Sequence, residues 1–361
     1  MDFRSSRWRA IDMGAKAKSV IDSGQAFAIF GLTNYAKQIA EYANSVGNQN
    51  YCFVDDWSNV NEFGFKSVRR STALEGSTQI FNAVVEGRPR TVQKFLERNG
   101  FRFIHSYFHL HAASPEIFKM PFSDFNVSEL QAHAYDYLSI GELLKDSQSK
   151  IEWQLVLAAR YSMDYLQPGL EYRLQDQYWE PEIYDISKKG HFIDGGCYDG
   201  NTAREFARRN PNYQKISAFE PILSNMEKVQ VNLSGYRDVD LYPLALHKDM
   251  AVRTFSENHS ASGISISGDI AVPCATLDSI MEGKPVHFLK LDVEGSELVA
   301  LEGAQNTITQ HAPTIAVCVY HDQRHFLEIP KTIWSWVPEY RLYFRHYTEG
   351  IFESVLYFEK D

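Results

Sequence analysis

The chain has 361 residues, 44% of them apolar, which is material for two cores, and carries a formal net charge of −10. That acidic balance leaves no basic excess to neutralise phosphates and excludes nucleic acid as the main partner. No apolar run approaches the ~18 residues of a membrane span, and no apolar segment with a small-residue cleavage site follows the basic N-terminus, so neither a membrane partner nor a signal peptide is read and the cytoplasm is the expected compartment.

In chain order, residues 1–24 read as a polar helix or arm. Residues 26–31 predict a buried strand, 32–35 a turn, 36–46 a helix and 51–56 a strand ending in Asp55 and Asp56. Strand 79–85, helix 90–99 and strand 102–107 continue the alternation, which gives a small Rossmann-like α/β domain over residues 1–112. Its turn, Gly31-x-Thr33-x-x-Ala36, is a dinucleotide loop with two of three glycines replaced. A structural or oligomerising role therefore stands against binding of a nucleotide or nucleotide sugar.

Residues 113–190 read as a helical connector punctuated by Pro115, Pro121, Pro168 and Pro181, with Ile151, Leu155, Ala158, Ala159 and Met163 at helical spacing. The aromatics of Gln177-Tyr178-Trp179-Glu180-Pro181 are expected to pack a helix over a pocket mouth or to fill core. Cys52, Cys197, Cys274 and Cys318 are scattered through apolar runs and read as buried free thiols.

The third region, 191–361, is organised around a short apolar strand, a glycine turn and a helix: His191 to Gly195, then Gly196-Cys197-Tyr198-Asp199-Gly200-Asn201-Thr202. Gly195, Gly196 and Gly200 permit a tight turn and close approach of a ligand to backbone, and the amides opening the helix are expected to point at it. Asp194 at the strand end suits a positively charged ligand better than a pyrophosphate, which favours S-adenosylmethionine over a nicotinamide dinucleotide. Strand 215–219 follows and ends in Glu220 and Pro221, with Glu220 the expected acceptor of ribose hydroxyls. Helix 224–233, strand 240–246, a β-excursion around Ser260, Ala261, Ser262 and Gly263, strand 287–293, helix 297–309 and strand 314–320 come next. Two closing runs, 340–346 and 353–359, predict a C-terminal antiparallel hairpin, an ending that again favours S-adenosylmethionine.

Strand 287–293 ends in Lys290, Asp292, Glu294 and Glu297, and alternation would put the first three on one face toward the pocket. Methyl transfer to a hydroxyl needs an acceptor positioned for in-line attack and a base for its proton. Asp292, Glu294 and His321 are the candidates; Glu297 reads rather as a carboxylate satisfying first-turn amides of its helix, and His346 as structural. A divalent metal on Asp292, Glu294, His321 and Asp322 suits the residue types, but no spacing demands one.

On Asp194 to Thr202, Ala218-Phe219-Glu220-Pro221, Thr276-Leu277-Asp278 and Leu289-Lys290-Leu291-Asp292-Val293-Glu294-Gly295-Ser296-Glu297 followed by Leu301-Glu302-Gly303-Ala304, residues 177–358 resemble the FkbM family of S-adenosylmethionine-dependent methyltransferases. The resemblance implies a Rossmann-like methyltransferase sheet and a cofactor site on Asp194, Gly195, Gly196, Tyr198, Gly200, Asn201, Thr202, Glu220, Pro221, Ser262 and Asp292. It implies O-methylation of a hydroxylated acceptor, with Cys197 standing where the family commonly has alanine. The first domain resembles the nucleotide-sugar-binding head of bacterial sugar N-acyltransferases, which points to a saccharide or glycan acceptor. The alternative is a non-catalytic nucleotide-sugar-binding or assembly protein that retains a methyltransferase fold.

Overall fold

The computed structural model describes residues 3–57, 64–65, 68–121, 127–256, 263–264 and 270–360. The chain divides into two compact units. Residues 1–131, 154–174 and 346–352 make unit 1; residues 132–153, 175–345 and 353–361 make unit 2. Residues 113–190 thus divide between the two. No described helix is long and apolar enough to cross a membrane.

Unit 1 opens with α1 (Phe3–Asp22), which buries Ala10, Ala17 and Ile21 along one face; of the helix or arm expected there, the helix forms. Strands β1 (Phe27–Phe30), β2 (Tyr51–Val54), β3 (Gln79–Asn82) and β4 (Phe103–Ser106) pair in parallel in the order β2-β1-β3-β4. Helix α2 (Asn34–Ser45) follows β1 and α3 (Pro89–Arg98) follows β3. Central β1 is buried throughout, as a strand covered on both faces must be, and Ala28, Phe30, Val54, Ile80, Val92 and Leu96 make the core. The run read as a strand to Tyr107 turns at Ser106, whose hydroxyl caps α4 (Tyr107–Ala113) by accepting from the Phe108 amide.

Between the strand sets lie α5 (Val127–Ala132), α6 (Ala134–Leu143) and α7 (Ser147–Ser162). Unit 2 is built on β5 (His191–Gly195), α8 (Asn201–Arg209), β6 (Lys215–Phe219), α9 (Leu223–Leu233) and β7 (Val239–Tyr242). The strand expected over 240–246 stops before Pro243, which has no N–H to give a ladder, and resumes as β8 (Ala245–Leu246). β8 joins β9 (Ala251–Ser256), β10 (Gly263–Ile264) and β11 (Ile270–Ala275) in a separate four-stranded sheet, order β10-β9-β11-β8.

After α10 (Leu277–Met281), β12 (Phe288–Leu291) returns to the main sheet. The single helix expected over 297–309 is two, α11 (Glu297–Glu302) and α12 (Gln305–His311), because the Asp278 carboxylate accepts from the amides of Asn306 and Thr307 and so starts a new helix. β13 (Thr314–Cys318), α13 (His325–Trp336), β14 (Arg341–His346) and β15 (Ser354–Glu359) complete a seven-stranded sheet ordered β14-β15-β13-β12-β5-β6-β7. β15 runs antiparallel to β13 and lies between it and β14. This is the Rossmann-like sheet with the closing strand pair that the sequence predicts, and it gathers the tips of β5, β6, β12 and β13 at one edge. Cys197, Cys274 and Cys318 are buried free thiols and Cys52 is half-buried.

Candidate functional site

The β5 tip turns at Gly196, on left-handed backbone at φ +73, where a Cβ would lie 1.9 Å from the Asp292 carbonyl oxygen. Only glycine lets the β5 and β12 tips approach so closely. The amides of the turn are used internally. Those of Gly196 and Cys197 donate to the Phe219 carbonyl, that of Tyr198 to Glu220 Oε2, that of Gly200 to the Cys197 carbonyl and that of Asn201 to Asp199 Oδ1. Of the helix-opening amides expected to point at a ligand, that of Asn201 is held by Asp199 and that of Arg204 by the Gly200 carbonyl.

Asp194, expected at the cofactor, also has an internal partner. It is fully buried, and the Lys290 ammonium stands 3.1 Å from its carboxylate while donating to the carbonyls of Gly196 (2.7 Å) and Gly195 (3.3 Å). Burial pushes the Asp194 carboxyl up and by itself would push Lys290 down; Asp194 and Asp292 reverse the second effect, so the ammonium is raised. Asp194 therefore answers to an internal cation.

Glu220, at the β6 tip, keeps both carboxylate oxygens at the turn, Oε2 on the Tyr198 amide (3.0 Å) and Oε1 on the Ile222 amide (2.9 Å). A carboxylate has about four acceptor sites, so capacity remains for a hydroxyl donor beside these amides and the Asn225 side chain. Around it, Tyr198 is exposed, with the Lys228 ammonium 5.3 Å above its ring; Asn201 is exposed; Thr202 and Pro221 are half-buried. Ser262 lies outside the described residues.

β12 ends at Leu291, so the alternation expected for Lys290, Asp292 and Glu294 does not continue: Lys290 is buried against β5, whereas Asp292 and Glu294 sit in the turn, Glu294 at φ +54. Asp292 accepts from two tyrosines, Tyr178 on Oδ2 and Tyr320 on Oδ1, both at 3.1 Å. Tyr178 is held in turn through its amide by the Tyr357 hydroxyl and through its carbonyl by Tyr184. No helix forms over residues 177–181; Tyr178, at φ +66, reaches directly into the strand tips.

The His321 ring is buried, with Nδ1 2.9 Å from Glu297, and Nε2 3.2 Å from Glu294 and 3.8 Å from Asp292. Burial alone would lower the ring; Glu297, Glu294 and Asp292 raise it well above its ordinary value, which favours the protonated ring. The three residues expected as proton acceptors, Asp292, Glu294 and His321, are brought together at the strand tips. Glu294 is pushed upward by desolvation, moderated by His321 and by the 40% of its side chain open to solvent. Glu297 does not satisfy its own helix: it is fully buried, accepts from the Val293 and Gly295 amides of the preceding turn, and faces His325 as well as His321. Asp292, Glu297 and His321 bring ligand-type atoms within 4.8 Å of one another, while Asp322 turns to Arg324 and its amide. Both His321 nitrogens face carboxylates.

Two further site residues give no sequence motif. Glu353, at φ +69 just before β15, accepts from Gln177 Nε2 at 2.6 Å and is pushed up to about 7, by burial and then by Asp292. Tyr320, beside His321, marks the β13 tip. Four of the eight described non-glycine residues at positive φ, Tyr178, Tyr198, Glu294 and Glu353, belong to this cluster, the concentration of backbone strain expected at a functional site. His346 lies in unit 1, its ring against the Gly350 carbonyl, and burial holds it at about 3.

Residues 194–347 match the family model of the methyltransferase FkbM domain. The crystal structure of methyltransferase FkbM from Methylobacillus flagellatus KT shares the fold over 99% of both chains, at 16% identity and a TM-score of 0.74. An rRNA methylase from Streptococcus thermophilus aligns with 50% of this chain and 90% of its own at 14% identity and a TM-score of 0.34. Aeropyrum pernix fibrillarin, in complex with natively bound S-adenosyl-L-methionine, aligns with 52% of this chain and 74% of its own at 12% identity and a TM-score of 0.36. No curated protein matches the chain.

Proposed function

We propose, from the premise that residues 194–347 are a methyltransferase FkbM domain, that the protein transfers a methyl group from S-adenosylmethionine to a hydroxyl of a saccharide or glycan. One observation carries the choice of cofactor: the glycine turn presents acceptors, not donors. Its amides are satisfied by Phe219, Cys197, Asp199 and Glu220, so a pyrophosphate would find no amide cradle, whereas an acceptor-only carboxylate at Glu220 suits a ribose diol. The residues that would hold the cofactor are Glu220 on the ribose, with Gly195, Gly196, Tyr198, Gly200, Asn201, Thr202 and Pro221 around it. When bound, the cofactor supplies a methyl group on a positively charged sulfur.

The chain's own work is to position the acceptor and to take its proton. A sugar hydroxyl is a weak nucleophile and needs a base. Asp292, anchored by Tyr178 and Tyr320, is the base in this reading, and Glu294, on the solvent side of His321, is the exit for the proton. The His321 ring stands among three carboxylates, Asp292, Glu294 and Glu297.

For unit 1 the likeness to nucleotide-sugar binders supports a saccharide reader, but a structural role has the firmer support. Its strand order reverses at β1 and β3, the place where such a sheet takes a ligand. There Thr33 donates to the Ala83 carbonyl and Tyr35 to Glu86, and that carboxylate would repel a phosphate.

Calorimetry with S-adenosylhomocysteine, followed by transfer of labelled methyl onto sugars, nucleotide sugars and glycans, tests the proposal. Binding and saccharide-dependent transfer are expected. A protein that does not bind S-adenosylhomocysteine is not this enzyme.

A further inference from the structure

A cofactor with a positive charge calls for a carboxylate to meet it, and Asp194 is already neutralised. The Lys290 ammonium holds that carboxylate and both loop carbonyls, Gly195 and Gly196, at once. An incoming ammonium or sulfonium would meet a buried cation there.

Two carboxylates at the neighbouring tips are not neutralised in this way. Asp292 receives two neutral tyrosine hydroxyls, and its nearest imidazolium nitrogen, at 3.8 Å, is closer to Glu294. Glu353 stands where β15 begins beside the β13 tip, the Val319 amide donating to the Ser354 carbonyl. Among the described residues, Gln177 is the one hydrogen-bond donor to its side chain. Glu353 stands on left-handed backbone, and Asp292 acts on its carboxyl as a like charge, an arrangement that core packing does not ask for.

We propose that, on the S-adenosylmethionine reading above, Glu353 and Asp292 together seat the positive charge of the cofactor, and that Asp194 takes no part. Glu353 is then a specificity-determining residue, and the acid that reads charge has moved from the β5 tip to the tips of β12 and β15. The groups facing Glu353 are Asp292, Tyr178, Tyr320 and Cys318, with Lys290 and His321 as the cations. Lys290 and His321 stay charged at neutral pH, and the phenols and thiol stay neutral, each pushed upward by burial. A cation seated beside Glu353 therefore draws off its proton.

The full-length protein is titrated calorimetrically with S-adenosylhomocysteine and with S-adenosylmethionine near pH 7, in two buffers of different ionisation enthalpy. Wild type is expected to release a fraction of a proton on binding. Glu353→Gln should weaken both ligands by about tenfold or more and abolish the release, and Asp292→Asn should weaken them similarly. Binding without proton release in wild type, or unchanged affinity in Glu353→Gln, overturns the inference and leaves the cofactor reading standing. No binding by wild type overturns both.

Discussion

Lys290 and Asp194 face each other across the β12–β5 ladder and form an ion pair that solvent does not reach. Strand register alone brings them together, since they are direct partners in adjacent parallel strands. Removing the cation strands a buried carboxylate, so Lys290→Met should cost about 3–5 kcal/mol of stability. Urea denaturation reads the loss, and Lys290→Met with Asp194→Asn should recover part of it. A single variant as stable as wild type would show that the carboxylate is not charged when buried.

Gly196→Ala should abolish S-adenosylhomocysteine binding and destabilise the fold, because the new Cβ meets the Asp292 carbonyl at 1.9 Å on left-handed backbone. Gly24→Ala is the control: φ is +75 but nothing lies within 4 Å, so only the conformational cost of about 1–2 kcal/mol applies. Comparing the two by calorimetry and denaturation separates the close approach from the dihedral.

Glu220→Ala should weaken S-adenosylhomocysteine by about 1–3 kcal/mol for lost charged hydrogen bonds. It also frees the Tyr198 and Ile222 amides, so Glu220→Gln, which keeps one acceptor, should fall between. Equal affinity in all three proteins would remove Glu220 from the ribose.

The His321–Glu297 pair predicts a stability profile with two limbs. The raised His321 ring contributes in full below its ordinary 6.5 and loses that contribution as pH rises through its folded value. The depressed Glu297 carboxyl contributes in full above its ordinary 4.5 and loses it as pH falls through its folded value. The joint contribution is greatest between 4.5 and 6.5. Denaturation midpoints measured across that range and above it should decline on the alkaline side in wild type, and His321→Asn should remove the decline.

The seven-stranded sheet was readable because its strands are short apolar runs separated by helical spacing, and the closing pair because 340–346 and 353–359 lie a few residues apart. The Thr276-Leu277-Asp278 motif proves to be two caps: Thr276 accepts from the Ser279 amide, and Asp278 starts α12. Spacing could show such residues but not their bonds. Tyr178 and Glu353 were hidden for a different reason. Each lies more than 60 residues in sequence from Asp292, and what brings them together is sheet order, which a local pattern does not contain. The internal partner of Asp194 comes from a strand 96 positions later, visible only once β5 and β12 are known to be neighbours.

The chain crosses between its two units five times, and residues 346–352, the link between β14 and β15, belong to the first. There Glu349 accepts from the amide and hydroxyl of Thr91, both at 2.7 Å, at the start of α3. Dissection at residue 190, where composition would suggest a cut, leaves the carboxy-terminal fragment with an orphaned acidic loop and deprives the amino-terminal fragment of the plug on one of its helices. Neither half is therefore a free-standing module, and co-expression of the two pieces, rather than either alone, is the route by which a severed chain would regain its form.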